Sequence, residues 1–172
     1  SHTSCLYPMS ILNGEGAHCE FTGVTFAGKG QYLDTGSKVV HNAPHTTSNI
    51  NSKSISKDGG VCIYRGSVVI NECAEGSKSN VSCESLMLDE QSQSDTIPAI
   101  VIKNDNVDLG HEAKIGRISD EAIFYLMSRG LSEDEARAML VRGFVDPVSK
   151  ALPLEYAVEM NNLINLELKG SM

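Results

Sequence analysis

The chain has 172 residues and a formal net charge of -8, with an isoelectric point of about 5.0. That length suffices for one well-buried core or two small units sharing one, and the acidic balance argues against non-specific binding to phosphate backbones, an affinity that comes from Lys and Arg. No uninterrupted apolar run approaches the roughly 20 residues that cross a bilayer, and Ser1-His2-Thr3-Ser4 has neither the charged nor the apolar region of a secretory signal, so neither nucleic acid nor membrane is expected as a partner.

Up to residue 118 the chain reads as short strands between turns. Val24-Thr25-Phe26, Val39-Val40, Val61-Cys62-Ile63-Tyr64, Ser67-Val68-Val69-Ile70, Leu86-Met87-Leu88 and Ile100-Val101-Ile102 are apolar or β-branched. Asn13-Gly14-Glu15-Gly16, Gly28-Lys29-Gly30, Asn42-Ala43-Pro44, Lys57-Asp58-Gly59-Gly60 and Lys103-Asn104-Asp105-Asn106 are turn clusters. The stretch from Thr46 to Lys57 carries few large apolar groups. A sandwich core needs more bulk than this, whereas stacked short strands that each bury a thin stripe on their neighbours tolerate it. No strict repeat is present, although Glu75-Gly76-Ser77-Lys78-Ser79 and Glu90-Gln91-Ser92-Gln93-Ser94 echo each other. The pattern predicts an irregular β-solenoid over 1–118, with a β-sandwich as the competing reading.

From residue 119 the signals are helical. Ser119 caps a first helix with Asp120 and Glu121 in its first turn; Ile123, Phe124, Leu126 and Met127 form its apolar face, and Gly130 stops it. Ser132 and Glu135 form a capping box for a second helix that runs through Ala136, Met139 and Leu140 towards Gly143. A third opens at Pro153 and ends at Gly170. Its apolar positions at Leu154, Ala157, Val158, Met160, Leu163, Ile164 and Leu168 cover more than one face, which predicts packing on two sides. The expected organisation is a β unit over 1–118 and a small helical unit over 119–172.

Chemistry-bearing residues are sparse. The five cysteines at 5, 19, 62, 73 and 83 include no Cys-x-x-Cys and make a poor disulfide framework, which fits a reducing cytosol. A lone strand cysteine is more often a small buried hydrophobe than a ligand. Cys62, between Val61 and Ile63, reads as core, and Cys5 and Cys19 read as structural. Cys83 sits among Ser82, Glu84 and Ser85, a polar setting that predicts exposure. Cys62 and Cys83 are 21 positions apart and would stack if one solenoid turn took that many residues. His111-Glu112 offers an imidazole and a carboxylate for metal ligation or acid–base work, against the plain reading of a solvated polar edge; Ile115 replaces the second histidine of a zinc-protease helix. His41 and His45 flank Asn42-Ala43-Pro44 in an expected loop. No nucleophile elbow, phosphate loop or dinucleotide fingerprint occurs.

Several stretches, in order along the chain, carry a resemblance. Ser52-Lys53-Ser54-Ile55-Ser56-Lys57 with Tyr64-Arg65-Gly66, His111-Glu112-Ala113 with Ile115-Gly116-Arg117-Ile118, Phe124-Tyr125-Leu126-Met127-Ser128-Arg129-Gly130-Leu131, and Leu152-Pro153-Leu154-Glu155-Tyr156-Ala157-Val158-Glu159 resemble the C-terminal part of the SufB branch of the SufB/SufD family of iron–sulfur cluster scaffolds. The resemblance implies a right-handed parallel β-helix followed by a small helical region. It also implies an assembly scaffold, itself no enzyme, that carries a transient iron–sulfur cluster in the cytoplasm. The implied partners are the ATPase SufC, the paralogue SufD and a cysteine desulfurase, and for the chain alone a homodimer imitating the SufB–SufD contact. By position Cys83 is similar to the family's cluster-site cysteine, and His111 and Glu112 to its neighbouring His-Glu pair. Glu112 favours SufB over SufD, which carries glycine there. Gly110 departs from the acidic residue of many SufB sequences, a departure that touches the ligand set. SufC contacts are implied on the helices, with Arg137, Met139 and Arg142 as the outward candidates. Alternatives are a SufD-like subunit without a cluster site and, from another class, a β-helix carbohydrate enzyme.

Overall fold

A computed structural model describes residues 2–169. Strands β1 (Thr3–Leu6) and β2 (Met9–Leu12) pair side by side with β4 (Tyr32–His41), which continues the first sheet to β6 (Val61–Ile70) and β8 (Gln93–Ile102). The second sheet runs β3 (His18–Ala27), β5 (Thr47–Ser56), β7 (Lys78–Met87), β9 (Asp108–Arg117). Every strand pairing among the described residues is parallel. The chain therefore winds from one sheet to the other in about four turns of a β-solenoid, and the sandwich reading, which needs antiparallel hairpins, falls.

One turn takes 29 to 32 residues: Tyr32 faces Val61, Thr47 faces Lys78 and Val61 faces Gln93. The 21-residue turn expected from Cys62 and Cys83 is corrected by this register. Cys62 stacks between Leu33 and Ser94 in the first sheet, and Cys83 between Ser52 and Ala113 in the second. The segment from Thr47 to Ser56 is a full strand although it is poor in bulk, because a hydroxyl network fills the lumen beside the aliphatic stack. Thr46 meets Ser77 at 2.7 Å, Ser48 meets Ser79 at 2.8 Å, and Ser37 meets Tyr64 at 2.6 Å. His41 is no loop residue. It ends β4 inside the lumen, with Nδ1 on Thr46 (2.8 Å) and Nε2 on Ser48 (2.9 Å), and burial lowers its pKa from the ordinary 6.5. Leu12, Val39, Ile50, Tyr64, Val68, Ile70 and Val81 supply the apolar part of the same core.

At the corner, His45 and Gly76 both have positive φ, and a Cβ on Gly76 would run into the His45 ring. Only glycine fits there, by conformation and by space.

Three helices follow: α1 (Asp120–Met127), α2 (Glu133–Ala151) and α3 (Leu154–Lys169). Ser119 caps α1 through the Ala122 amide, and Ser132 and Glu135 form the expected capping box on α2. Gly143 does not end α2. The apolar face continues through Val141, Val145 and Val148, all buried, so packing carries the helix past both Gly143 and Pro147. α3 begins just after Pro153, whose carbonyl accepts the Ala157 amide; the expected stop at Gly170 lies outside the described residues. Among the described residues only one face of α3 packs. Ile164 is buried, with Met160 and Leu168 beside it, while Leu154, Val158, Leu163 and Leu166 stay exposed. The second side expected to pack finds no neighbour among the described residues. α2 and α3 lie on the outer face of the second sheet, where Ile55, Leu86 and Phe26 meet Val141, Val145 and Ile164 in a second core. Lys57 reaches from the solenoid to the Leu168 carbonyl at 2.9 Å, placing a cation at the negative end of α3. No described helix is long and apolar enough to cross a membrane.

Candidate functional site

Side chains along a strand alternate between its two faces, and the ladder carries that alternation from turn to turn. In the second sheet Phe21, Ile50, Val81 and His111 form one lumenal column, and Gly23, Ser52, Cys83 and Ala113 the next. Cys83 and His111 thus point to the same side from neighbouring strands, one step apart on the diagonal. Glu112 points the opposite way, in the outer column Thr22, Asn51, Ser82, Glu112. Of the three residues singled out in the sequence, the fold brings two to one face and turns the third to the other. Among the described residues no three His, Cys, Asp or Glu side chains converge as a metal site.

The turn formed by β8 and β9 is the last among the described residues, and none of those residues covers the lumenal side where Ile100, Ile102 and Ile115 stand. Ile100, Ile102 and Ile115, whose register partners Val68, Ile70 and Ser85 are buried, are exposed there, as are His111 and Ala113. One turn inward, Cys83 is 2% exposed and packs among Val81 and Tyr64. This overturns the exposure expected from its polar sequence neighbours. Ser82 and Glu84 face outward, and the thiol between them faces the core by strand alternation. Burial pushes the Cys83 thiol up to about 11, so at neutral pH it is a protonated thiol and a weak nucleophile or ligand. Cys62 is buried as expected, and burial pushes it too up to about 11. Cys5 is exposed and Cys19 is half-buried.

Glu112 is not free: Lys114 Nζ meets its Oε1 at 2.6 Å. Lys114 belongs to a further outer column, Val24, Lys53, Glu84, Lys114. There Lys53 Nζ donates to Glu84 Oε2 at 2.6 Å and sits 4.5 Å from the centre of the Phe144 ring of α2. Sequence reasoning missed this row. Its signal is the spacing of Lys53, Glu84 and Lys114 by one solenoid turn, which is legible only when the turn length is known.

The three helix residues expected to face a partner differ in freedom. Arg137 is tied down, with Nη1 donating to the Leu88 carbonyl at 3.0 Å and Nη2 pairing with Glu133 at 2.9 Å. Arg142 donates to Asn165 of α3 at 2.6 Å. Met139 is 48% exposed, in a groove of about 630 Å³ that Arg142, Asn165 and Leu168 also line. Phe124 on α1, 74% exposed, is the larger uncovered apolar group.

A family model described as "SUF system FeS cluster assembly, SufBD core domain" matches residues 1–144. An iron–sulfur cluster assembly SufBD family protein of Staphylococcus saprophyticus is 54% identical over 166 residues. The iron–sulfur cluster assembly protein SufB of Bacillus subtilis is likewise 54% identical over 166 residues. In both cases the match covers 96% of this chain and 36% of the relative, so the chain spans about a third of the length of the curated relatives it matches.

Proposed function

Because the chain belongs to the SufBD family of the SUF iron–sulfur cluster assembly system, we propose that it forms part of a scaffold that receives sulfur and iron and builds a nascent cluster for transfer to apo-proteins. The cluster is its cargo. Cys83 supplies the soft sulfur ligand and His111 ligates or moves a proton beside it, while Glu112, on the opposite face of the same sheet, offers a hard oxygen for iron apart from that pair. The observation that carries this reading is the placement of Cys83 and His111 on one lumenal face of adjacent strands at the uncovered end of the solenoid.

The same geometry sets a condition. A thiol raised to about 11 by burial becomes a ligand only after the last turn shifts and solvent or iron reaches it. The energy for that shift is assigned to a SufC ATPase docked on the exposed apolar groups of the helices, and the sulfur to a cysteine desulfurase. The uncovered end, with Ile100, Ile102 and Ile115, suits a second solenoid of the same kind: the SufD paralogue in the complex, or another copy when the chain is alone. Unpaired thiols throughout fit a reducing cytoplasm.

The test is anaerobic reconstitution of the full-length chain with ferrous iron and sulfide. Retained iron and sulfide with a cluster chromophore, lost in Cys83→Ser and reduced in His111→Gln, is the expected result. A chromophore undiminished by Cys83→Ser overturns the assignment.

A further inference from the structure

Along the outer face of the second sheet, charge alternates through Lys53, Glu84, Lys114 and Glu112. The first three are successive register partners on β5, β7 and β9, and Glu112 stands two residues before Lys114 on the same face. The two ion pairs in this row are unlike. Lys53 is 13% exposed, its ammonium set between the Glu84 carboxylate and the Phe144 ring, an arrangement in which cation–π attraction and partial desolvation reinforce the pair. Lys114 and Glu112 pair in the open, where an ion pair is weakly held and readily exchanged.

We propose that Lys114 is a positioning residue that withholds the Glu112 carboxylate from a metal ion, and that the Lys53–Glu84 pair beneath Phe144 keeps it there by occupying the other carboxylate that acts on Lys114. This rests on the reading of Glu112 as an oxygen ligand. Glu84 is the register partner of Lys114 on the same outer face, and Glu112 pairs with the ammonium at 2.6 Å, so both carboxylates stand beside it. While Lys53 neutralises Glu84, Lys114 is drawn to Glu112. When Lys53 is withdrawn, Glu84 becomes an unpartnered carboxylate one strand spacing, about 4.8 Å, from the Lys114 backbone. Lys114 then turns to Glu84, and Glu112 is left free for a hard cation. The hold on Lys53 comes from α2, so the seating of Phe144 on the sheet governs a ligand at the far end of the row.

The test uses the full-length chain and Mn²⁺ as the probe, with free ion counted by electron paramagnetic resonance and Glu112→Gln marking the Glu112-dependent site. Lys114→Met is expected to tighten that site by up to about fivefold, the scale of an exposed ion pair. Lys53→Met should tighten it by less, Lys114→Arg should keep the parent affinity, and adding Glu84→Gln to Lys53→Met should cancel the gain. Unchanged affinity in Lys114→Met, or a Lys53→Met gain that survives Glu84→Gln, overturns the proposal. A chain with no Glu112-dependent site in any variant removes the ligand reading of Glu112 and the gating with it. The exchange itself is read without metal, by a double-mutant cycle between Lys114 and Glu84 in chemical denaturation. Coupling should grow when Lys53 is replaced by Met; coupling that stays the same refutes the exchange whatever Glu112 binds.

Discussion

Cys83 and Ala113 are register partners on β7 and β9, and this single step along the ladder separates a thiol that is 2% exposed from the open lumen. The candidate sulfur ligand is therefore neither on the surface nor deep in the molecule, but one turn beneath an uncovered end.

Truncation of the thiol tests what that position means. Cys83→Ala and Cys62→Ala each remove one buried sulfur, and each should destabilise by about 1 kcal/mol, as small core truncations do. The cost at Cys83 follows from its burial and not from the polarity of its chain neighbours. Only Cys83→Ala should also abolish cluster yield. Urea denaturation beside chromophore yield for both variants separates the roles, and equal chromophore loss in both would assign it to packing.

Stability should fall at both ends of the pH scale, for opposite reasons. His41 has its pKa lowered by burial from 6.5, so the unfolded chain takes up a proton first and stability declines as pH drops below about 6.5. Cys62 and Cys83 are raised from 9.0 to about 11, so the unfolded chain loses protons first and stability declines as pH rises from about 9 to about 11. Urea midpoints against pH check both. His41→Gln should flatten the acid limb and Cys83→Ser part of the alkaline one; slopes unaffected by these changes would mean other groups carry them.

The partner surface proposed on the helices is best probed where the chain does not use the side chain itself. Charge reversal at Arg137 breaks its bond to the Leu88 carbonyl and should lower Tm, so it cannot isolate binding. Met139→Asp and Phe124→Asp alter exposed groups and should leave Tm within about 2 °C, as surface changes do. Loss of an apolar anchor should weaken SufC binding about tenfold or more, by calorimetric titration of the full-length protein. Unaltered binding in both variants would leave the helices as a cover for the sheet alone.

Two glycines should respond in opposite senses to alanine. Gly143 lies inside α2 with no atom within 4 Å of an added Cβ, so Gly143→Ala should stabilise by roughly 0.5–1 kcal/mol. Gly76→Ala meets the His45 ring at a φ of +66° and should destabilise by more than about 1 kcal/mol. Thermal and urea unfolding of the two variants, measured side by side, decide the signs.

The change from strands to helices and the helix starts were legible because turn residues and caps act locally, whereas of the strands only apolar pieces of β3, β4, β6, β7 and β8 stood out, and β1, β2, β5 and β9 did not. Ser119 and the Ser132–Glu135 box cap the helices where the sequence placed them. What the sequence concealed was set by long-range register. Cys83 looked exposed because its neighbours in the chain are polar, yet alternation sends Ser82 and Glu84 outward and the thiol inward. α2 passed Gly143 because Val145 and Val148 find burial against the sheet, a gain no local propensity records. The facing of His111 and Glu112 followed from the same alternation, but the row of Lys53, Glu84 and Lys114 needed a turn length that the irregular repeat hid.

That irregularity has a use in the history of the fold. The paired strands of the later turns keep ten residues each, while the residues between register partners vary from 29 to 32. Length is gained or lost at the corners, and the ladder between them is untouched. Homologous chains should therefore differ by insertions and deletions at segments such as 71–77 and 103–107, without disturbing the columns that place Cys83 and His111. A peptide tag or fluorophore site introduced at 103–107 should for the same reason leave every stacked column in phase.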